Sequence, residues 1–113
     1  MTGRLPSRAA ILLLAFTQGA QAAAPTIDCD AALADAHDRI AAIRARDPTI
    51  NALVQKKDIK GACAILRTNY NDMTTARDNM DACLTGFDHN EEVSELNANL
   101  ADLNDAIAAH CAP

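Results

Sequence analysis

Four cysteines, at positions 29, 63, 83 and 111, are the side chains in this 113-residue chain with the most chemistry available to them. A redox pair or a zinc site takes its thiols from a C-x-x-C step, and no two of these cysteines are spaced that way. Structural disulfides are the remaining use, and they suit a small exported protein. Nucleophilic catalysis needs a serine or free thiol beside a histidine and an orienting acid. Beyond the first twenty residues the one serine is Ser94, and the three histidines, His37, His89 and His110, lie far from one another in the chain. No catalytic constellation follows, so the sequence predicts a protein that is not an enzyme.

Asp88-His89-Asn90-Glu91-Glu92 offers oxygen and imidazole donors within one short stretch. It lacks the alternating ligands and central glycine of a calcium loop, and Asp88 with Glu91 reads better as a helix capping box. Neither a metal nor a cofactor is expected.

Targeting precedes folding in the first residues. MTGRLPSR is basic, Ala9 to Phe16 is apolar, and TQGAQAAAP supplies small residues, the order of a secretory signal with an A-x-A cleavage site. Cleavage is expected after Ala22, with Ala24 as the alternative, giving a signal peptide over residues 1–22 and a single disulfide-stapled domain over 23–113. The apolar run is too short to span a bilayer, and nothing after it is apolar enough. A periplasmic or secreted protein of a bacterial envelope is the expectation. Loss of Arg4 and Arg8 leaves eight basic against fifteen acidic residues, a charge of −7, which disfavours nucleic acid as a partner.

The cysteines must be positioned by helices. Cys29, Leu33, Ala36, Ile40 and Ile43 recur at steps of four and three, which predicts a helix from about Asp28 to Arg46. Asp47-Pro48 starts a short helix with Asp47 as its N-cap, and Ile50, Leu53 and Val54 give it an apolar edge up to Lys57. A long helix follows over Asp58 to Leu84, with Ile59, Cys63, Leu66, Tyr70, Met73, Ala76, Met80, Cys83 and then Phe87 on one stripe. Gly86 is placed to end it in the left-handed conformation. Val93, Leu96, Leu100, Leu103 and Ile107 mark the last helix, which closes at Cys111.

Within one continuous helix Cys63 and Cys83 stand roughly 30 Å apart and cannot bond. Antiparallel neighbours then pair Cys29 with Cys83 and Cys63 with Cys111. The prediction is an all-α fold, a small up-down-up three-helix bundle with a short extra helix capping the connection between the first two long helices. Its weak point is Asn69 to Thr75, a cluster of poor helix formers. A break at Asn71-Asp72 would let Cys63 meet Cys83 instead.

Charge is segregated along the chain. Seven of the eight basic residues of the mature chain fall between Arg39 and Arg67, and acids crowd the opposite end around Asp28, Asp30, Asp81, Asp88, Glu91 and Glu92. Arg44, Arg46, Lys56, Lys57 and Lys60 are therefore the candidate residues for binding an anion or an acidic partner. The functional expectation is a non-catalytic interaction protein engaging another envelope or extracellular protein, with head-to-tail association permitted by its opposed ends. The alternative is a carrier holding a small apolar ligand between the helices, under the lid of residues 48–57. Tyr70, Met73 and Met80 serve the core in the first reading and line the pocket in the second.

Overall fold

The computed structural model describes residues 26–113; the expected signal peptide and both of its cleavage points lie outside them. Four helices account for most of this span: α1 (Cys29–Ala45), α2 (Asp47–Gln55), α3 (Ile59–Cys83) and α4 (Gly86–His110). The three long ones run up, down and up, and α2 caps the α1–α3 connection. Both disulfides form as the antiparallel arrangement requires, Cys29 with Cys83 and Cys63 with Cys111. The first fastens the start of α1 to the end of α3. The second fastens the start of α3 to the end of α4.

α3 is the spine. α1 and α4 both pack on it, while among the described residues no Cα of α1 comes within 8 Å of a Cα of α4. Ala36 and Ala76 are fully buried and let α1 approach α3 closely. Met80 and Leu96 complete that cluster, with Leu33, Ile40, Met73, Leu84 and Val93 packed around it. Ala62, Cys63 and Leu100 are also buried, so the core holds few large side chains.

The suspected break in α3 is absent, and the same polar residues explain why. Asn69 is buried, and its side-chain oxygen accepts from Arg46 Nη1 at 3.0 Å. Asp72 receives Arg46 Nη1 at 2.7 Å on one oxygen and Arg39 Nη1 at 2.8 Å on the other. Arg39 also reaches Asp35 at 2.7 Å, and Asn79 donates to the same Asp35 carboxylate at 3.1 Å. Thr74 satisfies itself by bonding back to the carbonyl of Tyr70. Residues that would weaken an isolated helix thus form a polar clasp between α1 and α3.

Four local expectations are corrected. Asp47 is not an N-cap: a single residue, Arg46, bends the chain between α1 and α2, and Asp47 already belongs to the first turn of α2. Gly86 is left-handed at φ +64°, but it opens α4, while α3 ends on an extended Leu84. The capping box at Asp88 does not form, because α4 begins earlier, after Thr85. The turn at Leu84–Gly86 also takes Phe87 off the inward stripe and leaves it 78% exposed.

Two capped turns set the α2–α3 corner. The Asp58 N–H bonds the Leu53 carbonyl at 2.9 Å and the Lys57 N–H bonds that of Val54 at 3.0 Å, a Schellman motif with Lys57 at φ +61°. The Asp58 carboxylate then accepts the Gly61 N–H at 2.9 Å and caps α3. A Cβ at Gly61 would lie 2.6 Å from that carboxylate, so glycine keeps the cap intact. Because Lys57 is exposed and left-handed, Lys57→Gly is expected to raise stability by up to about 1 kcal/mol, while Lys57→Val lowers it by about as much. Urea midpoints of the two variants check this pair, and equal midpoints would contradict it.

Candidate functional site

The corner built by Lys57 and Asp58 holds α2 against the start of α3 without closing over it. Between them, and against the end of α4, lies a cleft of about 550 Å³ lined by Ile50, Val54, Ile59, Ala62, Leu66 and Ala109, with Cys63 and His110 completing it. Val54 is 49% exposed and Ile59 44%, high values for branched aliphatic side chains beside a partly filled core. A second hollow of about 410 Å³ shares Ile59, Cys63 and His110 and adds Lys60, Arg67 and the chain end at Ala112 and Pro113. The Arg67 guanidinium donates to the Ala112 carbonyl and ties that end down. No acidic side chain lines either hollow. The surface is apolar in its middle and cationic along one side.

The predicted basic residues divide into three groups. Lys56, Lys57 and Lys60 sit on the α2–α3 corner or the first turn of α3, next to the cleft, and take no part in the ion pairs that form among the described residues. Arg46 instead turns inward to Asp72 and Asn69. Arg44 faces a different hollow, between α1 and α4, with Ile40, Ile43, Met73, Glu92, Glu95, Leu96 and Asn99. Of the expected lid residues, Ile50 and Val54 line the cleft, whereas Leu53 does not. Ile59, Leu66 and His110 were not singled out by the sequence as cleft residues. Both Ile59 and Leu66 are stripe positions of α3, and there they face the cleft between α2, α3 and the end of α4.

Electrostatics separate the two ends further. Hydrogen bonding from Arg46, helped by Arg39 and opposed by burial, holds the Asp72 carboxyl below the usual carboxylate range. The Arg39 guanidinium is pushed up, first by its bond to Asp35. At the other end His89 stands 2.7 Å from Asp81, and this hydrogen bond, with a smaller one from Asn90, raises the imidazole above its ordinary value. The Asp88–Glu92 stretch is therefore the first turns of a helix with its histidine engaged by Asp81. Among the described residues no three His, Cys, Asp or Glu side chains gather around a common point.

All four cysteines are in disulfides, and Ser94 is an exposed residue of α4. No described helix is long and apolar enough to cross a membrane. No family model matches the chain, and no curated protein or solved structure matches it either, so its own residues carry the functional reading.

Proposed function

We propose that this is a non-catalytic interaction protein of the periplasm or cell exterior. Its binding surface is the α2-capped end, and its partner is an acidic protein segment presenting one large apolar side chain. The observation that carries this reading is the apolar cleft with its half-exposed Val54 and Ile59, lined by no acidic side chain, with Lys56 and Lys57 on the turn that joins those two residues and Lys60 in the adjoining hollow. An apolar side chain entering the cleft gains burial, and carboxylates beside it meet the lysines. A carrier shares the same cleft, whose volume falls in the range of small-molecule sites. Its open form favours a docked side chain, because a carried molecule is normally enclosed over most of its surface.

A fluorescent peptide with one phenylalanine between glutamates tests the reading by anisotropy. It is expected to bind at low salt with a dissociation constant on the order of 0.1–1 mM, from one buried ring and a few exposed charge pairs. Affinity should fall as salt rises, and the combined change Lys56→Glu, Lys57→Glu and Lys60→Glu should weaken it at least about tenfold. Equal binding of a lysine-flanked control peptide would contradict the proposal. Salt-independent binding of a neutral apolar molecule in its place would establish the carrier.

A further inference from the structure

The far end of the molecule carries what the cleft would accept. Phe87 is the most exposed large apolar side chain described, at 78%, and it stands on the second residue of α4 just beyond the left-handed Gly86. Glu91 lies one turn further on the same face, exposed and in no ion pair among the described residues, and Asp88 is adjacent. The starts of α1 and α4 share this end, so Asp28 and Asp30 add to its charge. A convex aromatic set among carboxylates therefore opposes a concave apolar cleft set among lysines. Within one chain the two cannot meet, because Phe87 and Ala109 are twenty-two positions apart on one helix, roughly 33 Å.

We propose that the acidic partner is a second copy of this chain. Phe87 of one copy seats in the cleft between α2 and α3 of the next, with Asp88 and Glu91 beside Lys56, Lys57 and Lys60. The inference rests on the cleft being the binding surface and adds the identity of what enters it. A covered phenylalanine removes roughly 150–250 Å² from water, and here most of that area is exposed in the single chain. The two surfaces differ and lie at opposite ends, so the contact is heterologous and open, and copies add in a line.

Sedimentation velocity of the purified, oxidised protein across micromolar to millimolar concentration at low salt tests this. The mean mass of the unaltered protein is expected to rise with concentration and to fall back towards the monomer as salt is added. Phe87→Ala removes the knob, and the triple Lys56→Glu, Lys57→Glu, Lys60→Glu change spoils the cleft end. Both alter exposed positions, and each alone should weaken association about tenfold or more. Mixed in equal amounts, the two variants should form a dimer that grows no further, since one intact cleft then meets one intact knob.

A monomer at every concentration, or a mixture no heavier than its parts, overturns the second-copy proposal. If such a monomer still binds the glutamate-flanked peptide, the cleft reading stands and only the partner is wrong. If it binds neither, both fail.

Discussion

Replacing Cys63 and Cys111 together by serine is expected to lower stability by about 3–4 kcal/mol, the loop entropy released by opening a closure of 48 residues. That is a large share of a total near 5–10 kcal/mol for a domain of this size. The core explains why little else compensates. Of the buried apolar residues only Met80, Leu96 and Leu100 are large, and the others are alanines and Cys63 itself. Because the backbone of α4 approaches closely only that of α3, and meets α1 through the side chains of the shared cluster around Ala36 and Leu96, the disulfide adds a restraint at its far end. Losing that restraint also frees Ala109 and His110 from the cleft they line, so peptide binding should weaken along with stability. Urea midpoints of the oxidised protein and the double variant provide the comparison. A loss below about 1 kcal/mol would mean that packing alone positions α4.

Asp72→Ala is the second large effect expected, about 1–2 kcal/mol. The carboxylate bridges Arg39 and Arg46 and is mostly buried, with a side-chain exposure of 17%. Removing a fully buried partner costs more than this, but both arginines are about a third exposed and can rehydrate. Its pH dependence follows from the depressed folded value of Asp72. A group whose carboxyl is held low contributes stability above its unfolded value, near 3.8, and loses it as pH falls through the lower folded value. The gap between the unaltered protein and Asp72→Asn should therefore be full at pH 7 and shrink steadily below about pH 4. A gap unchanged at pH 3 would assign the effect to shape and not to charge.

Much of this fold is written in local periodicity. The four-three spacing from Cys29 to Ile43 and from Val93 to Ile107 locates α1 and α4, and the twenty-residue separation of Cys63 and Cys83 excludes their pairing once α3 is unbroken, leaving antiparallel packing to choose between the other two. What periodicity does not contain is the partner of a polar group. Asn69 and Asp72 look like helix breakers in sequence, and only the approach of Arg39 and Arg46 from α1 turns them into a clasp. The same blindness placed Arg44 and Arg46 with the corner lysines, whereas a helix turns its successive residues in different directions. Phe87 sits on phase with Cys83 and still faces solvent, because Leu84 and Thr85 are extended and Gly86 is left-handed. The cleft was legible as a lid with an apolar edge. Its far wall, at Ile59, Leu66 and His110, depends on where α4 ends relative to α3, which the Cys63–Cys111 bond fixes.

Backbone amide chemical shifts of the ¹⁵N-labelled protein, followed as the glutamate-flanked phenylalanine peptide is added, test the central claim most directly. Shifts confined to Ile50, Val54, Ile59, Lys60, Leu66 and His110 are predicted, with the Lys56–Asp58 turn moving alongside them. Shifts along the α1–α4 hollow instead, at Ile40, Met73, Leu96 and Asn99, would contradict it and move the binding surface to the other side of α3.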